Sequence, residues 1–226
     1  MPEEIVVSAV GFLGVLVGGL ITFGIQWYFA LRVESQTRIG LMRKFQFLLL
    51  DTTNDVLRWD QNIVEEVPDN HAGPLWPLVR PISNFHSEIL TADSACLALF
   101  CDGKSDDFLH KATDLISLRN SISTMLDRYN RDREELSLLT APYAAVVPGQ
   151  LHATFAIDAR ERPDIIVKIN AIESLIGSIR DMLESTRALA NEVSALYPEV
   201  AKRIAGKNFK VRFETVVPDK LTPGVT

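Results

Sequence analysis

Residues Ala98 to Ser105 come closest to a chemical motif. They read Ala-Leu-Phe-Cys-Asp-Gly-Lys-Ser, a relaxed phosphate-loop pattern with Ala98 where the first Gly belongs. Such a loop turns successive backbone amides toward phosphate, adds a Lys for charge and uses a Ser hydroxyl to hold magnesium. Here the interior positions are Leu99, Phe100 and Cys101, which suit the end of a helix better than an open nest of amides. Leu48-Leu49-Leu50-Asp51 could pose as the metal-binding strand of a nucleotide site, but it lies inside a helical pattern, and no series of βαβ units surrounds it. The motif therefore predicts a joint between two helices with Gly103 as C-cap. No cofactor is expected.

Metal and nucleophile chemistry fare no better. The histidines are His71, His86, His110 and His152, and none falls in a His-Glu-x-x-His or Glu-x-x-His arrangement. Cys96, Cys101 and His110, with Asp107 three residues before His110, are the nearest approach to a zinc set, but their spacing matches no common site. No Gly-x-Ser-x-Gly elbow is present. Cys101 stands beside Asp102, the wrong neighbour for an activated thiolate, although Lys104 is close. The pairs Glu65-Glu66 and Glu134-Glu135 read as solvated helix ends. No catalytic or metal-binding residue is assigned, and the balance leans against an enzyme. Two cysteines can form at most one bridge, so the thiols are expected to be reduced, in a reducing compartment.

Two basic clusters remain. Arg32, Arg38, Arg43 and Lys44 follow a long apolar stretch, where they would set topology and touch anionic lipid headgroups. Lys202, Arg203, Lys207, Lys210 and Arg212 follow one another without an acid between them, and Phe209 and Phe213 interleave. Base and aromatic together could grip an anionic lipid surface or a single strand of nucleic acid. An ordinary solvated face explains the second cluster as well, and is preferred. The chain as a whole has 29 acids against 23 bases and a net charge of -6, which argues against a duplex nucleic-acid partner.

The elements that carry these residues follow from periodicity. From Ile5 to Leu31, 27 consecutive residues are uncharged. A bilayer core needs about 20 apolar residues as a helix. A cleaved signal peptide would have a basic start and a shorter apolar core, whereas this segment follows Glu3 and Glu4 and exits through Tyr28, Phe29, Ala30, Leu31 and Arg32. The bases on its C-terminal side predict a plasma-membrane anchor (the inner membrane, if bacterial) with the following domain in the cytoplasm. Ser8, Gly11, Gly14, Gly18 and Thr22 share one helical stripe, which predicts self-association through Gly11, Gly14 and Gly18.

The apolar repeat Leu41, Phe45, Leu48, Thr52, Val56, Trp59 and Ile63 extends that helix to about residue 65, with a kink expected near Gly40. Breakers fill 67–81. A second helix is expected from about 82 to 100, capped by Ser83 or Asn84 and turning Phe85, Ile89 and Leu97 inward. A third follows to about Leu136, with a stripe of Leu109, Ala112, Leu115, Ile122, Leu126 and Tyr129. The fourth opens at Pro163 and carries Ile166, Ile169, Ile172, Ile176, Ile179, Leu183, Thr186, Ala190 and Val193, a seam that fits a bundle core or a coiled coil. Alternation at 151–157 and 209–213 fits two short strands that could pair.

The expectation is a mainly all-α protein. Residues 1–31 form a short tail and transmembrane anchor, 32–66 a juxtamembrane helix joining the bundle, 67–206 a bundle domain of about four helices in all, and 207–226 a strand and loose tail. In layout it resembles single-pass proteins whose glycine-rich anchor runs into a helical cytoplasmic domain, a resemblance that implies no activity. The functional expectation is a membrane-tethered interaction or regulatory module, with membrane lipid, a second copy and a protein as partners. A membrane-perturbing effector of a toxin or antiviral system is the alternative, and an enzyme with an unrecognised site is the third.

Overall fold

A computed structural model describes residues 2–65, 73–82, 88–143, 162–206 and 209–211, with the backbone alone over 2–12 and at 65. The chain is mostly helical. Helix α1 spans Pro2–Asp60 and continues through a wider π turn at Gln61–Glu65. A short α2 covers Ser94–Ala98, α3 Asp106–Thr140 and α4 Pro163–Ala205, with a single 3-10 turn at Ala141–Tyr143. No strand occurs among the described residues. Residues 209–211 are irregular, and 151–157 and 212–213 lie outside the described part.

Helix α1 runs unbroken through Gly40, and its two halves differ. Every residue from Leu13 to Arg38 is exposed, apolar ones included. From Ile39 onward the 3.6-residue period takes hold, and Met42, Phe45, Leu49, Val56, Trp59 and Ile63 are fully buried. This is one helix long and apolar enough to cross a membrane.

Two apolar clusters stack along the buried half of α1. The nearer one joins Met42, Phe45 and Leu49 to Phe100, Phe108, Ala112, Leu115, Val193, Tyr197 and Ala201. The farther one joins Val56, Trp59 and Ile63 to Ile122, Leu126, Tyr129, Leu136, Ile165, Ile172, Ile176, Ile179 and Leu183. Residue order in the two clusters shows that α3 runs parallel to α1 and α4 antiparallel to both. On α4 the buried seam holds from Ile172 onward as the spacing predicts, while Ile166 and Ile169 are only half-buried and Ile165 takes the inward position. Pro198 lies inside α4, where it cannot donate to the carbonyl of Ser194. Its neighbour Tyr197 is wholly buried and donates to the carbonyl of Met42 at 2.9 Å, one of the tertiary contacts that hold this turn.

Among the described residues of the expected second helix, only Ser94–Ala98 are helical, and there the Asp93 carboxylate caps the amide of Ala95 at 2.9 Å. Its expected caps Ser83 and Asn84, with Phe85, lie outside the described residues, and Ile89 is 71% exposed. Long-range side chains hold the chain here instead. Asn120 on α3 accepts from the Leu90 amide at 3.0 Å and donates to the Leu90 carbonyl at 2.8 Å. Asn130 does the same for Ile82, at 3.2 and 3.1 Å. The Tyr129 hydroxyl donates to the Val79 carbonyl at 2.8 Å, and the Glu173 carboxylate accepts the amides of Leu75 and Trp76 at 2.8 and 3.0 Å. Backbone groups that a helix would pair internally are thus satisfied by α3 and α4.

Candidate functional site

The motif at 98–105 is a structural joint. Gly103 takes φ +71, a left-handed conformation that favours glycine, and the Asp102 carboxylate accepts the Lys104 amide at 2.9 Å. Ser105 is buried, and its carbonyl accepts the Leu109 amide at 2.8 Å to start α3. Arg203 from the end of α4 donates to the Lys104 carbonyl at 3.1 Å and to the Ser105 hydroxyl, and lies 3.6 Å from Asp102. Burial works against ionisation of Asp102, but the Ser105 hydroxyl, two backbone amides and Arg203 outweigh it and hold the carboxyl below the usual range. The amides of Leu99, Phe100, Cys101 and Lys104 and the Ser105 hydroxyl are therefore engaged by the chain itself.

The cysteines are both free. Cys96 is buried and donates weakly to the Leu41 carbonyl at 3.5 Å, and Cys101 is exposed. Burial first, then the charge of Asp93, pushes the Cys96 thiol up, with Lys44 acting in the opposite sense. A thiol so placed is a packing group. Among the described residues no three His, Cys, Asp or Glu side chains come together in a way that could hold a metal ion.

A polar cluster absent from the sequence reading lies beside Trp59. Arg119 is wholly buried, donates from Nε to Asp55 at 2.9 Å and from Nη1 to the Glu88 carbonyl at 2.6 Å, and stacks 5.4 Å from the Trp59 ring centre. Its signal was its position, between Leu115 and Ile122 on the apolar stripe of α3. The pair is satisfied on all sides and reads as a fold-specifying contact.

The antiparallel course of α4 brings the two basic clusters to one end of the bundle. Arg32, Arg38, Arg43 and Lys44 are exposed on α1 just where it leaves the apolar segment, with Arg38 paired to Glu34 at 2.6 Å. From Tyr197, anchored to Met42, α4 runs eight more residues to Ala205. That carries its end roughly 12 Å back along α1, to about the level of residue 34. Lys202 and Lys210 are exposed there, and Phe209 and Val211 pack into the nearer cluster. Arg203 is the member that secures the 102–105 turn, while Lys207 and Arg212 lie outside the described residues. Lys104 adds a base to the same end. Its acids Asp93, Asp102, Asp106 and Asp107 belong to the α2–α3 side, and Glu199 to α4.

In the apolar half, a Cβ built on Gly14 or Gly18 meets nothing within 4 Å, so the stripe is open along its described part. Gly11 lies where only the backbone is described. The Thr22 hydroxyl on the same stripe is satisfied by the Gly18 carbonyl at 2.8 Å. Phe23 and Trp27 pack ring to ring at 6.1 Å near the end of this half. Comparison with protein-family models, curated proteins and solved structures gives no match.

Proposed function

We propose that the protein is a membrane-tethered interaction or regulatory module: α1 crosses the membrane, associates with a second copy through Gly11, Gly14 and Gly18, and holds the helical bundle on the cytoplasmic side for a protein partner. The observation that carries this reading is the continuity of α1. The same helix has an apolar half exposed on all sides and a second half that is the centre of the bundle. Fully exposed Leu, Val, Ile and Phe over such a length are stable in lipid or against another helix, not in water. The satisfied Thr22 hydroxyl and the open Gly14 and Gly18 positions suit close approach of two helices in lipid, where packing, rather than exclusion of water, drives association.

Cross-linking of the full-length protein in native membranes tests the association. Gly14→Leu with Gly18→Leu meets no obstacle within the chain, so the double variant inserts as the wild type does and its cross-linked species is lost. A cross-link that persists unchanged refutes the stripe as the interface. Sidedness is read from Cys101, the exposed thiol, with a membrane-impermeant maleimide. Labelling in intact cells would place the bundle outside and overturn the cytoplasmic assignment.

A further inference from the structure

We infer that the end of the bundle around the close of α4 is a docking surface for anionic phospholipid headgroups, with Lys202 and Lys210 acting together with Arg32 and Arg38. The inference rests on the membrane-spanning reading of α1 and adds a ligand to it. In sequence the two clusters are separate, and the second one alone is explained by a solvated surface. Three features of the fold join them. Antiparallel packing of α4 on α1 brings Lys202 to the height of the basic stretch of α1, with Lys210 just past the turn at Gly206. The stretch between the apolar segment and the first buried residue, Met42, is an unbroken helix, which holds the bundle at a fixed height. Eleven residues from Leu31 to Met42 span roughly 16 Å, and the end of α4 descends most of that distance. The headgroup layer adds only about 5–7 Å beyond the hydrocarbon. The exposed bases at the end of α4 therefore sit within about one screening length of the headgroups, where charge attraction is still felt.

Charge placement agrees. The protein is acidic overall, at -6, yet residues 32–44 hold four bases and one acid, and 197–210 hold four bases and one acid. Four acids of this end lie on the α2–α3 side, two of them paired: Asp102 with Arg203, and Asp107 with Lys111 at 2.8 Å; Glu34 on α1 is paired with Arg38, and Glu199 lies on α4. Phe209 is buried in the nearer cluster and so is not free to stack on a base, which favours lipid over single-stranded nucleic acid for the same patch.

The test uses the full chain in nanodiscs of mixed phosphatidylcholine and phosphatidylglycerol. A donor dye sits on Cys101, the exposed thiol of the turn that Arg203 secures. Energy transfer is read to a trace acceptor carried on either lipid. One base near an anionic surface multiplies the local preference for anionic lipid by about five. Transfer to labelled phosphatidylglycerol should exceed transfer to labelled phosphatidylcholine several-fold. The excess should largely vanish in about 1 M salt, where the screening length is about 3 Å. It should fall at least twofold in Lys202→Gln/Lys210→Gln and, independently, in Arg32→Gln/Arg38→Gln, while circular dichroism and melting stay as in the wild type. Equal transfer to the two lipids overturns the proposal. So does an excess that neither double variant lowers. Salt-sensitive binding of a labelled single-stranded oligonucleotide, lost in Lys202→Gln/Lys210→Gln with no lipid preference, would reassign the patch. Failure of the chain to float with vesicles of either lipid after alkaline extraction would instead refute the spanning reading itself.

Discussion

The two halves of α1 share one backbone and one helical period, yet they answer to different surroundings. Between Leu13 and Leu31 the side chains are apolar on every face but for Thr22 and Gln26, and all are exposed. Between Ile39 and Ile63 polar and apolar residues alternate by helical turn, and most of the apolar ones, Phe47 excepted, are buried or half-buried against the rest of the bundle. In water the more apolar half would be the one covered. The inversion shows that amphipathic patterning, not total hydrophobicity, marks the half that builds the bundle core. Uniform apolarity marks the half that needs an apolar environment from outside the chain.

The comparison can be broken at several strengths. The largest effect belongs to removal of residues 1–31. The shortened chain should move from the membrane fraction to the soluble one and keep a helix-dominated circular dichroism spectrum with a cooperative melt. A non-cooperative melt would mean that the exposed half is part of the fold. Next come single truncations in each half. Leu49→Ala opens a cavity in the nearer cluster and should cost about 3 kcal/mol in denaturant unfolding of the full chain in detergent. Leu20→Ala, in the exposed half, should stay within about 0.5 kcal/mol.

A smaller loss is expected from Arg119→Ala. It strands Asp55 and frees the Glu88 carbonyl, at a cost of about 2 kcal/mol, reduced from that of a fully buried pair because Asp55 keeps partial contact with solvent and with Arg58 at 2.7 Å. Unfolding free energies of wild type and variant check it. The smallest effect is alkaline. Hydrogen bonds to Asp107 and Glu192 raise the Lys111 ammonium above its ordinary value, and Asp132 and Glu135 do the same for Lys168. Both lysines bridge α3 to α4. Their contribution is fully present below the unfolded value near 10.5 and is lost as pH rises through the higher folded values. A modest fall in Tm above about pH 10.5 should follow, and Lys168→Met should reduce that fall.

Much of this architecture was legible because it is local. Pro163 opening α4, the seam from Ile172 to Val193 and the stripe Ala112 to Tyr129 are set by spacing within one helix. The stretch before α2 was misread because what decides it is not local. Phe85, Ile89 and Leu97 fit a helical face, but Asn120 and Asn130 satisfy Leu90 and Ile82 from 30 and 48 residues away. Arg119 was missed although it interrupts an apolar stripe as a charge, and its partner Asp55 can be named only with α1 and α3 side by side. The basic surface was legible as two clusters and not as one, since joining them requires the direction of α4.

The unbroken run of α1 through Gly40 makes it a shaft. The angular phase between the glycine stripe and the bundle is therefore set by the number of helical residues between them. One residue inserted between Arg32 and Arg38 would turn the glycine stripe by about 100° relative to the bundle and raise the bundle by about 1.5 Å. Seven inserted residues would return the phase to within about 20° while raising it by about 10 Å. Separation from the glycine stripe and facing direction are thereby separable settings of the same seven-residue stalk, residues 32–38.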